Sequence, residues 1–265
     1  MKSNKITING ISVTEYEPAV STKKTILFFH GTGGATQDEG LKSYCKTHDV
    51  GAWTYCPSYS GGWVNLSSMI AFVDYICEKH GIESIDLMTG LSAGGNCVYK
   101  YLTQTKSGHN RVKYFAPTSI NSMSFVSQIS ACAAHPLTHY HGENDSSPNA
   151  LSETDDFILA YNKAYLGKAK RIVFDGKGHN VWDIVYASVL TAPTVPGTPD
   201  LYSPFDQSLY DWSNITGTTE PPVEPPIEPP VETIFLDMTK VTVENGKAVA
   251  MGSDGKSYSW DIGIV

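Results

Sequence analysis

The chain has 265 residues, 41% of them hydrophobic, enough for one large domain with a core and a smaller element beside it. Its 19 basic and 27 acidic residues give a net charge of −8. That balance leaves no basic patch to displace counterions from a nucleic acid or to hold an anionic membrane, so neither partner is expected.

The five cysteines (Cys45, Cys56, Cys77, Cys97, Cys132) are odd in number, scattered, and free of any C-x-x-C pair. They read as small buried residues, with no disulfide framework, metal site or cofactor implied. The N-terminal residues Met1 to Lys5 lack the apolar stretch of a secretory leader, and no run has the roughly 20 apolar residues that cross a bilayer. The expected location is the cytoplasm, or a larger assembly such as a virion that carries the protein.

Ile6 to Val13 alternates apolar and polar residues around Asn9-Gly10, the pattern of a β-hairpin. Thr25 to Phe29 is continuously apolar, as in a strand covered on both faces, and ends at His30-Gly31-Thr32-Gly33-Gly34. Gly51 to Cys56 reads as a strand, followed by a loop from Pro57 to Trp63. Leu66 to Lys79 places Met69, Ile70, Phe72, Val73, Ile76 and Cys77 at helical spacing, closed by His80-Gly81.

Ser84 to Met88 is strand-like and runs into Gly90-Leu91-Ser92-Ala93-Gly94, with a helical stretch from Asn96 to Gln104 beyond. The spacing fits G-x-S-x-G, in which small flanking residues let a strand turn sharply into a helix and lift the serine above the sheet. Val112 to Ala116 is a further strand, with Pro117 expected to close it. Leu137 to His141 is the next, ending at Gly142-Glu143-Asn144-Asp145. Ser152 is expected to cap a helix through Tyr165, and Ala169 to Phe174 forms a strand that breaks at Asp175-Gly176-Lys177-Gly178-His179. Strands alternating with helices, each strand ending in a loop of small residues, predict a doubly wound, mostly parallel α/β sheet with its site along the C-terminal edge.

Composition shifts after Thr191. Thr191 to Pro204 holds four prolines, and Phe205 to Trp212 reads as a short helix or a packed aromatic tail. Glu220 to Glu232 repeats Glu-Pro-Pro-aliphatic three times, a polyproline II segment of roughly 40 Å at about 3.1 Å per residue. Ile234 to Val265 alternates around Asn245-Gly246 and Asp254-Gly255, which predicts a small β module. The expected organisation is a main domain at 1–218, a linker at 219–232 and a β-hairpin module at 233–265. So small a module needs a dock, and the stiff spacer points to a protein partner or larger assembly.

A serine hydroxyl becomes a useful nucleophile only when a base takes its proton and an acid fixes the tautomer of that base. His179 follows the last predicted strand in a glycine-rich loop that lets it reach over the sheet. His30 is better placed for an oxyanion loop; His48, His80 and His109 fall at helix ends or in loops, and His135, His139 and His141 lie on or beside a strand. Asp145 lies between Ser92 and His179 in chain order, with Glu143 as its rival. The region after Ala116 has no carboxylate, and Asp155 and Asp156 are explained by the first turn of a helix. The amides of Ala93 and Thr32, with Gly33 next, are the expected oxyanion donors. A phosphate-cradling role for residues 30–34 lacks both the Lys-Ser/Thr of a P-loop and the spacing of G-x-G-x-x-G.

The order Ser92, Asp145, His179, with His30-Gly31-Thr32-Gly33-Gly34 upstream and Gly142 before the acid loop, resembles the α/β-hydrolase superfamily over about residues 20 to 190. Gly178-His179-Asn180-Val181-Trp182-Asp183, without a long insertion, is similar to small esterases: dienelactone-hydrolase-like, polyhydroxybutyrate-depolymerase-type, and acetyl or feruloyl esterases. A dienelactone hydrolase proper is less similar, since its nucleophile is cysteine. The resemblance implies an α/β-hydrolase fold and a serine carboxylic-ester hydrolase acting through an acyl-enzyme, with a saccharide-borne ester as one substrate. Tyr59, Trp63 and Trp182 lie in loops at the expected active edge, where they either stack on substrate or simply pack. The alternative function is a non-catalytic binding or structural component of a larger assembly built on a hydrolase scaffold.

Overall fold

The computed structural model describes residues 1–33, 38–60, 63–106, 109–120, 123–131, 135–145, 151–165, 168–186, 242–244, 247–251 and 257–261. The tail read at Thr191 to Trp212, the spacer Glu220 to Glu232, and Gly34 lie outside these residues. The chain divides into two compact units, Met1–Thr219 and Glu220–Val265.

The first unit is organised by one eight-stranded sheet. Its strands are β1 (Lys2–Ile8), β2 (Ile11–Glu17), β3 (Thr25–Phe29), β4 (Trp53–Ser58), β5 (Ile85–Leu91), β6 (Val112–Thr118), β7 (Leu137–Gly142) and β8 (Ala169–Phe174). Their spatial order is β1-β2-β4-β3-β5-β6-β7-β8. The β1–β2 and β2–β4 pairs are antiparallel, and every pair beyond β4 is parallel. Asn9 and Gly10 form the first turn with φ of 49° and 75°, as a two-residue hairpin turn of this hand requires.

Among the described residues five α-helices accompany the sheet: α1 (Gly40–Thr47), α2 (Leu66–His80), α3 (Ala93–Gln104), α4 (Leu151–Ala164) and the short α5 (Trp182–Ile184). The Asn65 side chain caps α2 by accepting from the Ser68 amide, and Gly81 ends it in a left-handed conformation. Alternate residues of β3 feed two cores. Leu27 and Phe29 join Met69, Phe72, Val98 and Tyr99 on one face, and Ile26 and Phe28 join Leu41, Leu91 and Tyr186 on the other. Cys45, Cys56, Cys77 and Cys97 are buried free thiols within these layers.

The structure corrects three local expectations. β6 does not stop before Pro117 but runs through it to Thr118. The β6–β7 ladder pairs Phe115 with Leu137 and Thr118 with Tyr140 but skips the residues between, so the missing proline N–H falls in a gap. β4 likewise extends to Ser58, leaving Tyr59 at the strand end and not in an open loop. Ser152 lies inside the first turn of α4, not ahead of it. Three elements were not anticipated: α1, the short α5, and a 3₁₀ segment at Met123–Ala131 whose Phe125 and Ile129 are buried.

In the second unit, β9 (Thr242–Glu244), β10 (Lys247–Met251) and β11 (Ser257–Asp261) form an antiparallel sheet in the order β11-β10-β9. Among the described residues no helix is long and apolar enough to cross a membrane.

Candidate active site

Strands β3, β5, β7 and β8 all release their chains at the same edge of the parallel sheet, and Thr32, Ser92, Asp145 and His179 lie in those four exits. β3 is hydrogen-bonded to β4 on one side and β5 on the other. The connections from β3 to β4 and from β4 to β5 therefore run in opposite directions across the sheet, which opens a crevice at the strand ends.

Ser92 links β5 to α3 with φ of 50° and ψ of −123°, a conformation non-glycine residues rarely adopt. Its amide donates to the Thr118 carbonyl at 2.9 Å, tying the turn to the end of β6. The flanking glycines answer a packing demand. A Cβ on Gly94 would lie 2.2 Å from the Phe29 carbonyl oxygen, and one on Gly90 would lie 2.5 Å from that of Gly94. The first turn of α3 thus rests directly on the end of β3.

Asp145 and His179 are brought together by a second close approach. A Cβ on Gly142 would lie 2.1 Å from the Gly178 carbonyl oxygen and 2.5 Å from that of Lys177. Around this contact the Asn144 amide donates to Lys177 O at 2.7 Å, and the Glu143 amide to Phe174 O at 3.0 Å. The Glu143 carboxylate accepts from the Gly176 amide at 2.8 Å, so this rival acid serves the loop and not the histidine.

The resulting line of polar atoms is continuous. His179 Nε2 lies 3.0 Å from Ser92 Oγ, and His179 Nδ1 lies 2.9 Å from Asp145 Oδ2. The Asp145 side chain is 1% exposed, whereas that of His179 is 32% exposed. A buried carboxylate, a half-open imidazole and a serine at a sharp turn can pass a proton from the hydroxyl to the ring.

The residues read as oxyanion donors lie beside this line. Ala93 opens α3, and Thr32 and Gly33 form the exposed turn after β3. Neither the Ala93 nor the Thr32 amide has a protein acceptor among the described residues. The preceding Gly31 packs on Leu91, with its amide donating to Glu39 Oε1 at 2.8 Å. His30 is buried behind the turn. Burial lowers its pKa, and the neutral ring donates from Nδ1 to Gly31 O at 2.7 Å.

The three aromatics part company. Tyr59 is 9% exposed, stacks on His30 at 3.9 Å between ring centres, and donates its hydroxyl to His30 O at 2.8 Å. It packs the β3 loop from beneath instead of presenting a face to solvent. Trp63 is 53% exposed. Trp182 meets the His179 ring edge-on, with ring centres 5.3 Å apart.

No protein-family model matches the sequence, and no curated protein matches it. Solved structures do match the fold. TT1662 from Thermus thermophilus superposes with a TM-score of 0.56 at 15% identity, over 70% of this chain and 93% of that one. Est1E from Butyrivibrio proteoclasticus gives 0.53 at 15% identity, over 70% and 94%. Esterase 2 of Thermogutta terrifontis, phosphorylated by paraoxon, gives 0.51 at 15% identity, over 67% and 84%. The chain has the α/β-hydrolase fold.

Within this hydrolase fold, sequence reasoning passed over two residues. His139 and His141 project from one face of β7, fully buried. His141 Nε2 lies 3.3 Å from Asp145 Oδ2, the oxygen that also meets His179. Histidines at i and i+2 in an otherwise apolar strand, four residues ahead of the candidate acid, were the available signal.

The close approach at Gly142 yields a direct check. Gly142→Ala should lose about 1–3 kcal/mol of stability, a typical cost of overpacking. Amide exchange at Asn144 should accelerate as its bond to Lys177 opens. Wild-type melting and exchange in the variant would show that the two loops are held by something else.

Proposed function

We propose that the protein is a serine hydrolase of carboxylic esters. Ser92 Oγ attacks the ester carbonyl while its proton passes to His179 Nε2, and Asp145 holds the Nδ1–H of that ring and stabilises the imidazolium. The negative charge on the carbonyl oxygen is met by the amides of Ala93 and Thr32. The tetrahedral adduct collapses, His179 returns the proton to the departing alcohol, and an acyl group remains on Ser92. Water then attacks the acyl carbon, giving its proton to His179. Release of the acid restores the serine.

The observation that carries this reading is the pair of contacts at His179, 3.0 Å to Ser92 and 2.9 Å to Asp145. They occur at a serine whose backbone is held in a strained turn. The choice of an ester over other acyl substrates draws on the fold's likeness to proteins named esterases. The substrate we favour is a short-acyl ester borne on a saccharide, with Trp182 beside His179 and the exposed Trp63 as surfaces for a sugar ring.

Turnover of p-nitrophenyl acetate by wild type and Ser92→Ala tests the chemistry. The account expects a fall in kcat of at least about 10³-fold in the variant, as for removal of a nucleophile. Equal turnover would reject it. Acetylated and feruloylated saccharides offered beside short-chain aryl esters then test the substrate class: faster release from the aryl esters alone would count against the saccharide.

The spacer and C-terminal strands are proposed as an attachment element for a protein partner or a larger assembly, in keeping with their forming a separate compact unit. Deleting Glu220 to Val265 should leave ester turnover unchanged and abolish self-association or capture by a partner. A truncated protein that fails to fold would instead make the segment part of the catalytic domain.

A further inference from the structure

Asp145 sits at the end of a line of buried side chains that the reaction above does not use. Tyr99 Oη lies 2.6 Å from His139 Nδ1, His139 Nε2 lies 2.9 Å from His141 Nδ1, and His141 Nε2 lies 3.3 Å from Asp145 Oδ2. Tyr99, His139 and His141 are all 0% exposed. The two imidazoles come from alternate positions of β7 and stack with ring centres 5.2 Å apart, while α3 brings Tyr99 to the same face. The Tyr99 ring is itself fixed between Phe125 and Phe157.

We propose that Tyr99, His139 and His141 form a hydrogen-ordered chain that fixes the orientation of Asp145, with His141 as its positioning residue. The proposal rests on the reading of Ser92, His179 and Asp145 given above.

The order of the hydrogens follows from what each atom can do. An ionised carboxylate only accepts, so His141 must present Nε2–H to Asp145. Burial lowers the pKa of His139 well below its ordinary value, and His141 and Arg171 add to the effect, so this ring is neutral and carries one hydrogen. A neutral His141 accepts at its bare Nδ1 from His139 Nε2–H, and His139 Nδ1 then accepts from the Tyr99 hydroxyl; a protonated His141 reverses both bonds, and in either state its Nε2–H faces Asp145. The cation on the neighbouring strand, Arg171, lies opposite His139 in register and is paired with Asp155 of α4.

The consequence falls on Asp145. A short carboxylate side chain can rotate, and its Oδ2 must face His179. Two imidazole nitrogens face that one oxygen, His179 Nδ1 at 2.9 Å and His141 Nε2 at 3.3 Å. An apolar residue at position 141 would fill the space and remove this contact. Outer partners of metal-ligating residues typically change activity about 10–100-fold when removed, and a loss of that order is expected here.

The test compares His141→Gln, His141→Asn and His141→Phe in the full chain with p-nitrophenyl acetate. The Gln amide nitrogen falls near the position of imidazole Nε2, whereas that of Asn falls near Nδ1. We expect kcat to drop about 10–100-fold in the Phe and Asn variants at unchanged KM, with Gln restoring most of the loss. Wild-type kcat in His141→Phe, or equal losses in all three, would overturn the proposal. The ring ¹⁵N–¹H spectrum needs no variant at position 141 to fold: His141 should carry a hydrogen on Nε2, and a bare Nε2 there would contradict its contact with Asp145. The same spectrum from Ser92→Ala keeps the two questions apart. Retained turnover in that variant rejects the ester reading, while its ring tautomers still decide the chain.

Discussion

A methyl group at position 94 would sit 2.2 Å from the carbonyl oxygen of Phe29 and 2.5 Å from that of His30. Real Cβ atoms do not approach backbone oxygens so closely, and neither element has far to move. β3 is paired on both sides in the middle of the sheet, and α3 is packed beneath by Cys97, Val98, Tyr101 and Leu102. The absence of a side chain at Gly94 therefore sets how near the helix comes to the strand end. That distance in turn puts the turn at Ser92 beside the loop carrying Thr32. The same device operates at Gly142 for the other half of the site, where the loop of Asp145 touches the loop of His179.

The strain at Ser92 is a consequence of that closeness. Backbone in such a region costs of the order of 1–3 kcal/mol and persists only where the surroundings over-determine it. Here they do. β5 is fully buried along its length, the Ser92 amide is bonded to Thr118, and the helix after it is locked on β3. The serine hydroxyl is thus delivered by rigid elements on both sides. Its proposed partners are delivered by loops whose freedom is removed by backbone bonds between them. Precision at the proposed reacting atoms comes from the scaffold, and binding of substrate need not supply it.

Much of this was legible in the order of residues because each feature has a local cause. Asn9-Gly10 demands positive φ, the apolar run at Thr25 to Phe29 demands cover on both faces, and the small residues around Ser92 demand a tight strand-to-helix turn. What escaped depends on contacts between distant segments. Pro117 reads as a strand breaker until the ladder to β7 is seen to skip that position. Tyr59 reads as a loop aromatic until β4 is found to reach Ser58 and His30 to lie under its ring. α1 shows only Leu41, Tyr44 and Cys45 at helical spacing over eight residues, too short a pattern to stand out. His139 and His141 look like ordinary strand residues, and only the fold places Tyr99 at one end of them and Asp145 at the other.

Together these contacts support one account: a scaffold of paired parallel strands holds Ser92, the proposed nucleophile, and a buried polar line behind Asp145 is proposed to steady the histidine that would activate it. Its central claim is that Ser92 is nucleophilic because His179 takes its proton. The direct measurement is covalent labelling with a fluorophosphonate, followed by mass mapping of the modified peptide. The account predicts a single adduct on Ser92 in the wild type and none in His179→Ala. An adduct on another serine, or undiminished labelling of Ser92 without the imidazole, would contradict it.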